Sequence, residues 1–314
     1  MMPWINHNPI KAMPQYYKNY VSDWGVNIPT TDEAAYCHPD FLNYRIFYNK
    51  MYVCETQNIP HGPIGTDPTQ YPIILKPIYN LRGGGMESQV VHNREQYESL
   101  QLTSLFWSPY VMGEHYSIDL ILRKGEIVDH YCMRGEKLQH GMFDYWELIE
   151  CPDATYRYVY NWIEENFEHY TGCLNLEVIG ETIIECHLRM GDIDRFGDRE
   201  LMEAIHVLYN VGEWTYDGDR TEEFYLAALF AQYNKTFTIN PNLCEEIFDY
   251  LIYYQIDDPN NACINPLTGQ RLAIFCGETL EDATDARNIA IALFTPDIDG
   301  KYTDALTNFR DLRI

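Results

Sequence analysis

Residues 71–86 read YPIILKPIYNLRGGGM. The apolar run ending at Lys76 is short and followed by proline, which predicts a strand over residues 71–78 with a lysine near its end. Gly83, Gly84 and Gly85 follow in the next loop. A lysine fixed on a strand is a point charge for phosphate oxygens. Three glycines let backbone N–H groups approach a polyphosphate with no Cβ in the way. The pattern predicts a nucleoside triphosphate held between a strand lysine and a glycine flap. It is not a P-loop, because no GKS or GKT follows the glycines, and it is not a GxGxxG dinucleotide signature.

Working outward, residues 41–57 (FLNYRIFYNKMYVCETQ) read as a helix that stops at Asn58-Ile59-Pro60. Beyond the glycines come a short returning strand, Ser88–Val91, and a helix, Asn93–Leu100, with Asn93 as N-cap and Gln96 at the capping-box position. HYSIDLILRKGEIVDHYCM (115–133) alternates apolar and polar residues on both sides of Lys124-Gly125, a hairpin signal. A helix over 153–170, with Asp153 as N-cap, precedes two strands, GCLNLEVIG and ETIIECHLR, and a helix over 198–212. The remainder predicts helices near 221–233 and 244–255, a strand near 271–276, and a helix near 279–294 with Thr279 as cap. Hairpins interleaved with helices place the chain in the α+β class with largely antiparallel sheet.

The stretch CLNLEVIGETIIECHL (173–188) carries a second chemical pattern. With a three-residue turn at Gly180-Glu181-Thr182, Glu177 lies opposite Glu185 and Asn175 opposite His187. All four then share one face, because residues two apart point the same way. A two-residue turn would separate the glutamates onto opposite faces. Two carboxylates directly across a ladder repel unless something positive lies between them. Mg²⁺ bridging to phosphates suits that place, and Arg189 follows at once as a contact for phosphate or an anionic intermediate. A solvated hairpin face is the plain alternative for this stretch taken alone, as a surface lysine is for Lys76.

Bulk properties narrow the function. Among 314 residues the formal net charge is −25, which repels nucleic acid phosphates and anionic membrane surfaces. No apolar run is long enough to span a bilayer, and the N-terminal stretch lacks an apolar core of signal-peptide length. Nine cysteines without CxxC spacing read as reduced thiols of a cytoplasmic protein.

Together these motifs resemble the ATP-grasp superfamily, in its biotin-carboxylase and carbamoyl-phosphate-synthase-like branch, over residues 41–212. YPIILKP is similar to the strand bearing the phosphate-binding lysine, which implies that role for Lys76, and Gly83–Gly85 resemble the flap. The helix before NIPHGP is similar to the element bearing a further phosphate contact, for which Lys50 and Arg45 compete. PYVMGEHYSID resembles the hinge, which implies adenine contacts near Ser108, Pro109 and Val111 and a ribose contact at His115. ECHLRMG is similar to the motif E-x-N-x-R-x-G, with Glu185 as metal ligand, Arg189 as catalytic contact, Glu177 as the earlier metal carboxylate and Asn175 beside it.

The motif asparagine is His187 here, a poor magnesium ligand, so His187 either contacts phosphate or sits in a site that prefers Mn²⁺. The resemblance implies an irregular segment 1–40, a first subdomain 41–105, a second 106–212 and an extension 213–314. It implies an ATP- and Mg²⁺-dependent ligase joining a carboxylate to an amine, with Arg134 and His140 near the acceptor. An ATP-binding protein without ligation and an ATP-grasp phosphotransferase are the alternatives. The resemblance implies that the usual preceding domain is missing or reduced to about 40 residues, so either a homodimer or partner subunit is expected to complete the acceptor site or the substrate is unusual.

Overall fold

The computed structural model describes residues 28–79, 81, 88–100, 104–137, 143–191, 193, 198–218, 224–231, 237–239, 251–256, 264–265, 269–291 and 294–296. The glycines 83–85 and His140 lie outside this set. All described strand pairings are antiparallel. The smaller sheet holds β1 (Gly62–Pro63), β2 (Ile73–Pro77), β3 (Gln89–Val91) and β4 (Leu105–Pro109) in the order β1-β4-β2-β3. Its apolar side packs Ile73, Leu75, Val91, Tyr97 and Trp107 together.

The larger sheet contains β5 (His115–Arg123), β6 (Glu126–Lys137), β7 (Phe143–Ile149), β8 (Gly172–Ile179), β9 (Thr182–His187) and β10 (Tyr225–Ala231). Beyond β11 (Phe237–Ile239), which leaves to pair with β15 (Phe294–Pro296), it adds β12 (Tyr253–Ile256), β13 (Ile264–Asn265) and β14 (Gly269–Gly277). Its order is β12-β14-β10-β7-β6-β5-β8-β9, with β13 also on β14. Thus strands from 213–314 extend the sheet that begins at His115, and β4 belongs to the smaller sheet.

Strand β5 shows how the faces divide. Tyr116, Ile118, Leu120 and Leu122 point to a core with Leu174, Leu176 and Val178 of β8. Against it pack Val159, Trp162 and Ile163 of a helix, Asp153–Asn166. The alternate residues His115, Ser117 and Asp119 put polar groups on the other face before Ile121 joins a second core under the helix Arg199–Val211. The β5–β6 turn is of type I′, with Lys124 and Gly125 both at positive φ (53° and 84°). A side chain at Gly125 would come within 2.3 Å of the Glu168 carbonyl oxygen.

Several expectations are corrected. The single helix over 41–57 is interrupted: 3₁₀ turns occupy Pro39–Phe41 and Arg45–Tyr48, and the α-helix starts only at Lys50. Asn49 caps it by accepting from the Met51 and Tyr52 N–H groups. Phe41, Tyr44 and Phe47 instead pack against Phe167 and Tyr170. Asp153 is the first helical residue, and Pro152 holds the cap position. The helix near 221–233 is strand β10. Its Ala and Leu residues favour helix locally, but pairing with β7 and β14 and close cover by Ala283, Ala286 and Ala290 override that preference. Residues 253–256 of the helix expected near 244–255 form β12, and the earlier part lies outside the described residues. The helix expected at 279–294 is Leu280–Ile291, capped by Thr279, which accepts from Asp282 N.

Candidate active site

The two glutamates do face each other. Glu177 pairs with Glu185 and Asn175 with His187 across β8 and β9. The route differs from the one expected. The turn holds only Gly180 and Glu181, because Ile179 pairs with Thr182 and Val178 with Ile183. A β-bulge between Val178 and Glu177 then inserts Ile184 on β9 and restores the register. Ile183, rather than Ile184, is therefore the residue in the core.

Four elements converge on this face. The helix Lys50–Thr56 lies along the edge strand β9, whose Ile183 N–H and carbonyl oxygen are both bonded by the Gln57 amide. At its other end the Lys50 N–H donates to Ile78 O (3.0 Å), which ties Lys50 to the end of β2 and so to Lys76. The Lys50 ammonium contacts the Glu185 carboxylate directly. Lys76 is 7% exposed and makes no hydrogen bond or ion pair with any described residue. Burial, and then the nearby charge of Lys50, hold its pKa below the usual lysine value.

The third contributor is Asp32, at the start of a helix, Asp32–Cys37. It is 4% exposed. Its carboxylate accepts from Arg189 Nη2 at 3.2 Å, pairs with Arg189 Nε at 3.0 Å, faces His187 Nδ1 at 3.0 Å and accepts from the Tyr48 hydroxyl at 3.3 Å. Burial works to raise the Asp32 pKa, but Arg189 and His187 outweigh it and hold the group well below the carboxylate range. A further Arg189 N–H goes to Met190 O, leaving one N–H on each terminal nitrogen for other partners. The fourth contributor, β5, supplies Asp119, which accepts from Asn175 and from Gly191 N, and Ser117, which accepts from Asn175.

His187 Nε2 lies 3.6 Å from Glu185, and one ligand atom each from Glu177, Glu185 and His187 all lie within 4.8 Å of one another. His115, assigned to ribose by resemblance, has its Nε2 3.2 Å from Glu177 and its ring edge-on to Phe143 and Trp146. Burial works to raise the Glu177 pKa, and the imidazoles with Lys50 bring it down to about 2. Glu177, Glu185, His187, Lys50, Lys76, Arg189, Asn175 and His115 thus form one constellation.

Other expected residues fall outside it. Arg45 stacks over the Tyr36 ring. Arg134 pairs with Tyr116, whose side chain points to the opposite core, and its guanidinium binds Glu147 and Glu114. Ser108 is buried in β4 opposite Ile74, Pro109 ends that strand, and Val111 follows it. Met112, beside the hinge, is 81% exposed, because the chain leaves the sheet there on the way to Gly113.

Reasoning from sequence missed Asp32 and Asp119. Both left a signal. Thr31-Asp32-Glu33 is a helix start, with a cap followed by acids in the first turn. Asp119 is the third polar residue in the every-second-position series on β5.

No protein-family model matches the chain, and no curated protein matches it in sequence. Solved structures do match. An L-amino acid ligase from Bacillus licheniformis is 12% identical over 86% of this chain and 77% of that one, with a TM-score of 0.61. This chain has the ATP-grasp fold. A carboxyaminoimidazole ribonucleotide synthase from Aspergillus clavatus complexed with ATP is 10% identical over 82% and 75%, with a TM-score of 0.56. The biotin carboxylase domain of a Hydrogenobacter thermophilus 2-oxoglutarate carboxylase, complexed with MgADP, is 13% identical over 82% and 68%, with a TM-score of 0.54. Within the ATP-grasp fold of this chain, the smaller sheet carries Lys76 and the larger carries the carboxylates. Among the described residues no helix is long and apolar enough to cross a membrane.

Proposed function

We propose that this chain is an ATP-dependent ligase that activates a carboxylate as an acylphosphate and joins it to an amine, with release of ADP and phosphate. The observation that carries the reading is Lys76: a buried ammonium with no hydrogen bond or ion pair to a described residue, beside Lys50 and within the field of Glu185 and Glu177. A desolvated cation is costly unless an anion meets it, and a polyphosphate is the anion that suits two adjacent lysines. The likeness to structures described as ligases and as ATP or MgADP complexes supports the same class.

The residues present fit a nucleotide and a divalent cation. Lys50 and Lys76 would neutralise phosphate oxygens, and Glu177 and Glu185 would hold the cation, whose charge would screen a phosphoryl group in transfer. Arg189, held by Asp32, directs its remaining N–H groups toward negative charge developing on the acceptor. We place the nucleotide between the smaller sheet, β1 to β4, and the larger sheet that begins at His115, with the backbone near Ser108–Val111 at the base. No side-chain nucleophile is needed.

Thermal unfolding with a non-hydrolysable ATP analogue and a divalent cation tests the site. At ligand about 100 times its dissociation constant the gain is about 2.7 kcal/mol. ADP release screened over amino acids and small carboxylic acids, each with an amine, then tests the reaction. ATP binding without ADP release from any acid refutes the ligase. A stable phosphorylated product without condensation points to a phosphotransferase.

A further inference from the structure

The donor set between β8 and β9 contains nitrogen as well as oxygen. His187 presents Nδ1 to Asp32 at 3.0 Å and Nε2 to the glutamates. A carboxylate on one ring nitrogen fixes the proton there and leaves the other nitrogen as a lone-pair donor. His115 is 6% exposed and lies beside the set, with its Nε2 paired to Glu177 at 3.2 Å. Mg²⁺ binds oxygen and keeps its waters, and gains little from imidazole. First-row transition ions bind imidazole well.

We propose that Glu177, Glu185 and His187 form a site selective for a first-row transition ion such as Mn²⁺ over Mg²⁺. The inference deepens the ligase reading and rests on it only for the ion's use, since the donor set exists without nucleotide. Lys50 competes for Glu185, so the ion displaces that contact on entry.

The test is a titration of Mn²⁺ into the full chain without nucleotide, followed by loss of the free-ion EPR signal, with Mg²⁺ as competitor. The expected result is one Mn²⁺ per chain, displaced only by a large excess of Mg²⁺. His187→Asn lowers Mn²⁺ affinity by about tenfold or more and leaves Mg²⁺ affinity unchanged. His187→Gln, which also removes the imidazole, narrows the same ratio and serves if His187→Asn does not fold. Lys50→Met raises Mn²⁺ affinity. Equal competition by the two ions, or an unchanged Mn²⁺ to Mg²⁺ ratio in both histidine variants, overturns the proposal. If that happens while the ATP analogue still stabilises the protein with Mg²⁺, the selectivity falls and the nucleotide site stands. Selective Mn²⁺ binding without any response to the analogue supports the metal site and removes the ligase reading.

Discussion

Asp32→Asn is the substitution whose effect the structure defines most closely. It keeps the shape of the side chain and removes one charge that Arg189, His187 and Tyr48 all share. Neutralising one member of a buried ion pair costs about 3–5 kcal/mol, because the other charge stays behind. The Arg189 side chain is 19% exposed, so water recovers part of that, and the lower end, about 3 kcal/mol, applies. At roughly 2 °C per kcal/mol for a chain of this size, Tm near neutral pH falls by about 6 °C. The loss depends on pH in a defined sense. The Asp32 pKa in the folded protein lies below its ordinary value of 3.8. Its stabilisation is therefore complete above that value and disappears as pH falls through it toward the folded pKa. Thermal unfolding of both proteins at a series of pH values should give a constant gap from neutral pH down to about 5 and a closing gap below about 4. A gap of less than about 1 °C at neutral pH, or one that persists undiminished in acid, refutes the role assigned to Asp32.

Three further outcomes follow from the same geometry. Lys76→Met removes a buried ammonium that makes no direct ion pair with a described residue. It should raise the stability of the nucleotide-free protein by on the order of 1 kcal/mol and abolish stabilisation by an ATP analogue, both read by thermal unfolding. Gly191→Ala places a methyl 2.5 Å from Asn175 Nδ2 and 2.9 Å from Asp119 Oδ1, so calorimetry should show a loss of about 1–3 kcal/mol together with weaker nucleotide binding. Arg134→Ala lies on the opposite face of the sheet and should leave the dissociation constant for the analogue within about twofold, measured by titration calorimetry.

What was legible in the sequence was periodicity and chemistry. The alternation in HYSIDLILR separated a polar face from an apolar one, and NLEVIG with IIECHLR placed two glutamates within pairing distance. The route to that pairing was not legible. Turn length alone would have put Glu177 and Glu185 on opposite faces, and the bulge at Ile184 reverses that outcome. A bulge is fixed by what packs on each side. Here Ile183 fills the core while its backbone is held by Gln57, a residue far away in sequence. The same holds for Ala227 and Ala228, whose helical preference yields to sheet neighbours and to the alanine face of the helix Leu280–Ile291. Asp32 was missed because its meaning lies in contacts far away in sequence, with His187 of β9, with Arg189 just after it and with Tyr48.

The charges of the site explain why nucleotide and metal should enter together. Within the constellation Arg189 is matched by Asp32 and Lys50 by Glu185, while Lys76 makes no direct ion pair with a described residue. One unmatched cation is too little for a polyphosphate on a chain of net charge −25. A divalent ion on Glu177 and Glu185 changes that balance twice, because it adds its own charge and frees Lys50 from Glu185 to join Lys76. Each partner thereby improves the site for the other, a coupling that must be reciprocal in free energy. On the proposed function, the Lys50–Glu185 contact would be the resting form of a site whose lysines would serve the nucleotide once a metal had taken the carboxylates.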